Sequence, residues 1–317
     1  MQVSRQKIVV LGTGGTIAGT AVRPGDNLGY TAAQLGVQQL LQAVPGLQGL
    51  AAGGLVAEQL AQLDSKDMEF SVWRLLAMRC ATALADPEVR GVVITHGTDT
   101  LEETAWFLHS VLDACKPVVL TCAMRPATAL APDGPQNLLD AVAVAMAAGA
   151  RGVVAVVAGV VHGAQRVRKV HPYRVDAFSS GDAGPLGWVE EGAVRLVQDW
   201  PAVQSKQAPI AIEKIANCTQ WPRVDVVTSY AGANGSLVDS LVRDGVQGIV
   251  VAGTGNGTVH HAMESALLRA QAAGVRVLRS TRCPEGQVLP KADDALPDSR
   301  GLSPVKARIA LMLDLLP

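Results

Sequence analysis

Glycine-rich polar clusters follow three apolar runs of the chain, and their threonine hydroxyls are the side chains best suited to chemistry. The clusters read GTGGT at residues 12–16, THGTDT at 95–100 and GTGNG at 253–257. Each follows a short β-branched run of the kind that forms a buried strand. Ligands of parallel α/β sheets bind outside the carboxyl ends of the strands, so Thr13 and Thr98 are candidates to meet a substrate. A hydroxyl placed there becomes a nucleophile once a base accepts its proton.

Two other roles compete with catalysis for these clusters. A dinucleotide-binding loop starting at Gly12 needs glycine where the chain has Ile17, and the loop starting at Gly253 fails in the same way at Thr258. A capping role suits Thr100, which opens the capping-box sequence TLEE at 100–103, but Thr13 and Thr98 lie outside a helix start. The residues alone therefore exclude a nucleotide loop and leave open whether these threonines are catalytic or structural.

The scaffold around these clusters alternates strands with helices. Apolar runs predict strands at 7–11, 91–95, 117–122 and 152–158, with helices at 32–43, 68–84, 101–114 and 136–148. A second series predicts strands at 224–229, 248–252 and 275–280, with helices at 237–244, 259–273 and 304–315. This alternation indicates an α/β fold of two domains, a larger N-terminal doubly wound parallel sheet and a smaller C-terminal α/β domain. We place the N-terminal domain at 1–200, a proline-containing linker at 201–223 and the C-terminal domain at 224–317.

The composition predicts a soluble, cytoplasmic protein that binds neither nucleic acid nor membranes. The 27 basic and 28 acidic side chains give a net charge of −1, which leaves no basic excess for phosphate contacts. The first residues lack a signal-peptide pattern, and the apolar segment 141–161 is interpreted as the end of a helix followed by a strand. Five cysteines without a CxxC pair suit a reducing compartment. His260 and His261 are expected on different faces of a helix, so no metal site is predicted.

Several motifs together resemble the bacterial-type L-asparaginase family. TGGTIAG at 13–19 is similar to the family's N-terminal signature, and HGTDT at 96–100 is similar to its second signature. The sequences AMRP at 123–126, GNG at 255–257 and PVKAR at 304–308 also match in order, so the resemblance covers nearly the whole chain. It implies hydrolysis of the side-chain amide of L-asparagine by a threonine nucleophile through an acyl-enzyme, without a cofactor. It also implies a homo-oligomer, a dimer of dimers or homotetramer.

The resemblance assigns roles to individual residues. Thr13 matches the nucleophile, and Tyr30, within the loop at 22–31, matches the tyrosine that meets it. The match with the second catalytic triad covers Thr98, Asp99 and Lys169. Ser65 matches the residue that binds the substrate α-carboxylate, while Asp99 also matches the group that binds the α-amino group. Asn256 matches a residue that reaches into a neighbouring subunit's site.

A lysine is chemically suited to the role of base. Its neutral form can accept a proton, and desolvation or a nearby cation makes that form accessible. Lys169 ends the basic run RVRK at 166–169, where Arg166 and Arg168 would favour the neutral form, although both arginines themselves are interpreted as part of a solvated surface.

The chain departs from the family pattern at two lysines. Lys66 follows Ser65 where periplasmic members usually carry Gln or Glu, so it would either pair with the substrate carboxylate or crowd the substrate ammonium. Lys291 aligns with a glutamate that completes the Thr-Tyr triad in many members, and Glu285, Asp293 or Asp294 could take its place. These departures leave the preference for asparagine or glutamine open, and they keep a non-catalytic amino-acid sensor as an alternative. The sequence cannot settle this preference, because glutamine and asparagine differ by one methylene, which changes binding in a pocket by only about 1–3 kcal/mol.

Overall fold

The computed structural model describes residues 6–51, 53–202 and 208–317. Contacts within the chain divide it into two units, Met1–Ala216 and Asn217–Pro317. This division falls inside the interval 201–223 in which the sequence places a linker. Residues 203–207 of that interval lie outside the described residues, and Ala208–Asn217 forms a helix that the sequence patterns did not predict.

The first unit contains a large sheet, two small two-stranded sheets and flanking helices. Its strands are β1 (Lys7–Gly14), β2 (Thr20–Ala21), β3 (Tyr30–Thr31), β4 (Leu55–Leu63), β5 (Val89–Thr95), β6 (Pro117–Thr121), β7 (Gly152–Val157), β8 (Val160–Gly163), β9 (Arg168–Lys169), β10 (Phe178–Ser179), β11 (Gly187–Glu190) and β12 (Ala193–Leu196). Its helices are α1 (Val37–Gln42), α2 (Leu47–Leu50), α3 (Phe70–Ala85), α4 (Leu101–Val111) and α5 (Gly134–Met146), and α6 (Ala208–Asn217) lies at the boundary.

The large sheet is eight-stranded and mixed, in the order β12-β11-β8-β7-β6-β5-β1-β4. The strands from β7 to β4 are parallel, which confirms the α/β fold. The expectation of a wholly parallel sheet is wrong, because β8, β11 and β12 extend it in antiparallel fashion. Two-residue turns with positive φ connect β7 to β8, at Ala158-Gly159, and β11 to β12, at Glu191-Gly192. Such turns match the twist of a hairpin and return the chain at once.

Helices cover both faces of the large sheet, so its central strands are buried throughout. Strands β6 and β7 are buried at every position. On one face Val93, Val119 and Val154 pack in a single apolar cluster with α5 residues such as Leu138. The alternate strand residues point to the opposite face, where α3 contacts β5 and α4 contacts β7. This double covering explains the continuous apolar runs in the sequence.

Helix α1 is shorter than the predicted helix at 32–43. Ala33 has a φ of 57°, and the N–H groups of Gln34 and Leu35 both donate to the Ala18 carbonyl at 2.7 and 2.9 Å. A left-handed Ala33 cannot belong to a right-handed helix, and these tertiary hydrogen bonds hold residues 33–35 in a non-helical conformation. The helix therefore begins only after Gly36.

The second unit is a three-stranded parallel sheet with helices packed against it. Its elements are β13 (Val224–Thr228), α7 (Ser236–Arg243), β14 (Gly248–Gly253), α8 (His261–Ala272), β15 (Arg276–Thr281) and α9 (Pro304–Asp314), with the strand order β13-β14-β15. An apolar cluster that includes Ile249, Val251, Leu267 and Val277 forms its core. Each of these elements lies within three residues of its predicted bounds.

Across the described residues of both units, no helix combines the length and the apolarity needed to cross a membrane. The apolar segment 141–161 divides as predicted, with α5 ending at Met146 and β7 beginning at Gly152.

Candidate active site

The carboxyl ends of three adjacent parallel strands bring the candidate residues of the first unit together. Strand β1 lies between β4 and β5 and pairs in parallel with both. Thr13 lies near the end of β1, Ser65 follows β4, and Thr98 follows β5. The loops that leave these strands therefore meet at one edge of the sheet, as the sequence predicts for a ligand site.

Two glycines allow these loops to approach each other closely. A Cβ atom at Gly15 would collide with the Gly97 backbone, and a Cβ atom at Gly97 would collide with the Ser65 side chain. Gly15 also has a φ of 82°, a conformation that side-chain-bearing residues rarely adopt. Glycine at both positions is thus what lets the loops after β1, β4 and β5 pack together.

Thr13 is almost fully buried, with 1% of its surface exposed. Its hydroxyl donates a 3.0 Å hydrogen bond to the Thr95 carbonyl at the end of β5. The Tyr30 hydroxyl lies 2.7 Å from the hydroxyl of Thr16 rather than from that of Thr13. Thr16 is a site threonine that sequence reasoning did not single out, although it stands within the GTGGT cluster.

Lys169 joins Thr98 and Asp99 from about 70 residues away in the chain. Its Nζ donates to the Thr98 hydroxyl oxygen at 2.8 Å and to Asp99 Oδ1 at 2.6 Å. The Thr98 hydroxyl can donate in turn to Asp99 Oδ1 at 3.3 Å. The Lys169 side chain is 17% exposed and that of Asp99 is 50% exposed, so the carboxylate is the more accessible member of the pair. The structure thus brings the three residues of the predicted second triad into direct contact.

Ser65 is buried and links two loops. Its hydroxyl accepts the Asp99 N–H at 3.1 Å, and its carbonyl accepts the Thr100 hydroxyl at 2.8 Å. Thr100 occupies the N-cap position of α4, as the sequence predicts. The prediction that its side chain caps the helix is wrong, because the hydroxyl makes no cap hydrogen bond. The hydroxyl instead ties Ser65 to the start of α4.

Lys66 is engaged by its immediate neighbours. Its ammonium lies 2.6 Å from Asp67 and 3.5 Å from Asp64, and 60% of the side chain is exposed. The hydrogen bond to Asp67 is the main reason that the pKa of Lys66 is raised. The sequence analysis expected this ammonium either to pair with the substrate carboxylate or to crowd the substrate ammonium. In the structure it pairs instead with the carboxylates of Asp64 and Asp67.

A buried chain of hydrogen bonds supports the loop that carries Thr98 and Asp99. His96 is fully buried, with Nδ1 at 2.7 Å from the Gly97 carbonyl and Nε2 at 2.9 Å from the Thr104 hydroxyl. The Trp73 indole N–H donates to the same Thr104 hydroxyl at 2.9 Å. Because a carbonyl only accepts, Nδ1 carries the hydrogen, so Nε2 accepts from Thr104. Burial lowers the pKa of His96 to about 4.

Sequence reasoning did not single out Trp73 or Thr104 for this role. Thr104 stands in the α4 sequence that follows the second signature, but Trp73 belongs to another helix, 31 residues earlier, and no local pattern marks it. Only the packing of α3 against α4 brings the two side chains together.

Asn256 lies in the second unit and holds a neighbouring loop. Its Nδ2 donates to the Leu289 carbonyl at 3.0 Å, and the Leu289 N–H donates to its Oδ1 at 2.7 Å. This reciprocal pair of hydrogen bonds occupies one donor and the oxygen of the amide. Asn256 thereby fixes the segment that leads to Lys291.

Asp294, one of the three acidic residues that could replace the family glutamate aligned with Lys291, already has partners in its own loop. Asp294 accepts the Lys291 N–H at 2.7 Å and pairs with the largely buried Arg279. The hydrogen bond from Lys291 is the main reason that the pKa of Asp294 is lowered. Asp294 thus acts within its own loop, which leaves Glu285 and Asp293 as the remaining acidic candidates.

The side chains of the two adjacent histidines of the second unit lie together rather than on different faces of a helix. His260 caps α8 and His261 begins it, and their rings stack with centroids 4.4 Å apart. The prediction of different helix faces is wrong because His260 precedes the helix. No group of three or more His, Cys, Asp or Glu side chains suited to a metal ion occurs among the described residues.

The fold and the site define an α/β protein that gathers hydroxyl, lysine and carboxylate groups at the carboxyl edge of a doubly covered sheet. Comparison with protein families then identifies it further. The family described as "Asparaginase, N-terminal" matches residues 7–202, and the "Glutaminase/Asparaginase C-terminal domain" matches residues 223–316. The chain belongs to the asparaginase family.

Individual proteins agree with this assignment. The chain is 37% identical to L-asparaginase 2 of Bacillus subtilis, over 97% of this chain and 82% of that protein. It is 38% identical to L-asparaginase 2 of Escherichia coli, over 97% of this chain and 88% of that protein. Among solved structures, a probable cytoplasmic L-asparaginase from Campylobacter jejuni superposes with a TM-score of 0.91 at 38% identity, covering 98% of this chain and 95% of the other.

Proposed function

We propose that this protein hydrolyses the side-chain amide of L-asparagine to L-aspartate and ammonia. The contact of Lys169 Nζ with Thr98 and Asp99, beside the buried Thr13 and Ser65 at one sheet edge, is the observation that carries the proposal. The similarity to proteins named L-asparaginase supports the substrate.

In the proposed reaction the Thr13 oxygen attacks the amide carbon. The C–N bond breaks, the nitrogen leaves as ammonia after taking up a proton, and an ester joins the substrate acyl group to Thr13. Water then attacks this ester, and the acyl group leaves as the free acid with Thr13 regenerated. Lys169, in its neutral form and acting with Thr98, is the proposed proton acceptor. The hydroxyls of Tyr30 and Thr16 form a second hydrogen-bonded pair in the site, and Thr16 lies in the same loop as the proposed nucleophile.

The proposed substrate contacts follow from charge. Ser65 would bind the α-carboxylate through its hydroxyl, and the partly exposed Asp99 carboxylate would bind the α-ammonium group. Lys66 and Asn256 are the other substrate contacts proposed from the sequence. In the structure Lys66 pairs with local carboxylates and Asn256 with the main chain of Leu289.

Ammonia release measured over L-asparagine, L-glutamine and their D-forms tests the proposal. We expect turnover of L-asparagine by the wild-type protein, loss of turnover in Thr13→Ala, and a smaller loss in the matched variant Thr16→Ala. Peptide mass spectrometry with fragmentation after acid quenching should place the acyl group on Thr13. Full activity in Thr13→Ala, or an acyl group on Thr16, would refute Thr13 as the nucleophile.

The same assay decides between the alternatives that the sequence left open. Faster turnover of L-glutamine would make the protein a glutaminase, an outcome that the shared family description allows. Binding of amino acids by calorimetry without any ammonia release would instead identify a sensor.

We also propose that the protein works in the cytoplasm as a homotetramer. All five cysteines lie in the described part of the chain and all are free, which suits a reducing compartment. The tetramer rests on the family resemblance, and light scattering at micromolar concentration tests it. A fully active monomer would overturn this assembly.

A further inference from the structure

The strand that carries Lys169 does not belong to the large sheet. Strand β9 consists of Arg168 and Lys169 and, within the described residues, pairs with β10 in a separate two-stranded sheet. The hydrogen bonds of the eight-stranded sheet therefore do not fix the position of the Lys169 main chain.

The position of that main chain matters because the lysine side chain is long and flexible. Nζ reaches Thr98 and Asp99 at 2.8 and 2.6 Å across a four-carbon stem. A main chain free to shift would let the same stem place Nζ elsewhere, and a misplacement of about 1 Å can cost a factor of about a hundred in rate.

Glu102 contacts the main chain of Lys169. It is the second residue of α4, and its Oε1 accepts the Lys169 N–H at 3.2 Å. A carboxylate in the first turn of a helix is favoured by the helix dipole, which suits Glu102 to this position. Thr98 and Asp99 lie just before the same helix start. One helix terminus thus provides partners for both ends of Lys169.

The charge of Glu102 has a second neighbour on β9. Arg168 is partly buried, and desolvation lowers its pKa while the nearby Glu102 carboxylate opposes that effect. Glu102 could therefore act on β9 through its hydrogen bond or through its charge, and the two effects are separable by substitution.

We propose that Glu102 is a positioning residue, which holds the Lys169 main chain against α4 so that Nζ reaches Thr98 and Asp99. The inference rests on the proposed function for its catalytic consequence, but the geometric part stands independently of it. The hydrogen bond, rather than the charge, is the element that positions Lys169.

Two substitutions of Glu102 separate the hydrogen bond from the charge. Glu102→Met keeps the length of the side chain but removes the acceptor, and we expect kcat to fall by about tenfold or more with little change in KM. Glu102→Gln keeps an acceptor and removes the charge, and it should recover most of kcat with an unaltered pH profile. Glu103→Gln, on the same helical turn, is the control for loss of one negative charge and should stay close to wild type.

A second readout does not depend on catalysis. Acylation of Lys169 by acetic anhydride, followed by peptide mass spectrometry, should be severalfold faster in Glu102→Met than in wild type or Glu102→Gln, because Nζ would leave its two partners. Equal labelling in all three proteins would overturn the inference, as would a Glu102→Gln variant as impaired as Glu102→Met.

The two readouts separate failure of the inference from failure of the proposed function. A wild-type protein that releases no ammonia would refute the amidohydrolase proposal, while the labelling comparison would still test the role of Glu102. If Glu102→Met does not fold, Glu102→Ala provides the same loss of acceptor with a smaller side chain.

Discussion

His96 makes the stability of this protein depend on pH in a defined window. The pKa of His96 is lowered from 6.5 to about 4 because the ring is fully buried. Protonation would also put a hydrogen on Nε2, which accepts from the Thr104 hydroxyl. Between pH 6.5 and 4 the unfolded chain therefore binds a proton that the folded protein does not. The contribution of His96 to the free energy of unfolding is therefore largest above pH 6.5 and falls as the pH decreases through this window.

The magnitude follows from the difference between the folded and unfolded pKa values. A difference of one pKa unit corresponds to about 1.4 kcal/mol. Protonation of His96 in the unfolded chain therefore lowers the free energy of unfolding by about 2 kcal/mol at pH 5 and about 3 kcal/mol at pH 4. His96→Gln abolishes the titration while keeping an acceptor for the Thr104 hydroxyl. We expect the variant to be less stable than wild type at pH 7.5 but to lose about 2 kcal/mol less between pH 7.5 and pH 5.

The assay is chemical denaturation at a fixed protein concentration at pH 7.5 and pH 5. Trp73→Phe is the matched control, because it removes the indole hydrogen bond to Thr104 and leaves the histidine in place. This control should be destabilised by about the same amount at both pH values. If wild type and His96→Gln lose the same free energy on acidification, the folded protein does not exclude the proton from His96.

Two further substitutions test single features of the site. Lys66→Gln should leave KM for L-asparagine within about twofold of wild type, since exposed ion pairs with two aspartates occupy the ammonium; a change of tenfold or more would place Lys66 on the substrate. Gly15→Ala should lower the unfolding free energy by more than about 1 kcal/mol beyond the loss in Gly46→Ala. Both glycines have a φ near 80°, but only Gly15 faces the Gly97 backbone, whereas Gly46 faces open space. Equal losses on urea denaturation would show that backbone strain, and not the close approach, requires Gly15.

Hydrophobic patterns predict the elements that bury apolar surface continuously. Strands β5, β6 and β7 match their predicted bounds within two residues, because a strand covered on both faces must be apolar at every position. The glycine-rich clusters marked the carboxyl ends of β1 and β5, where parallel strands open towards ligands. Local residue chemistry was sufficient for these features, since burial and chain reversal both leave a signal within a few neighbouring residues.

Long-range packing determines which side chains meet in the site. Strands of two to four residues, such as β8 and β9, are too short to show a period, so the antiparallel edge and the strand under Lys169 were invisible in the sequence. The hydroxyl of Tyr30 faces Thr16 rather than Thr13, and Glu102 meets the main chain of Lys169 across 67 residues. Each of these contacts depends on how whole elements pack and on the direction of a side chain at the end of a loop. Local patterns carry no record of such distances, so these contacts could not be predicted, whereas the fold and, through the family resemblance, the contact of Lys169 with Thr98 and Asp99 could.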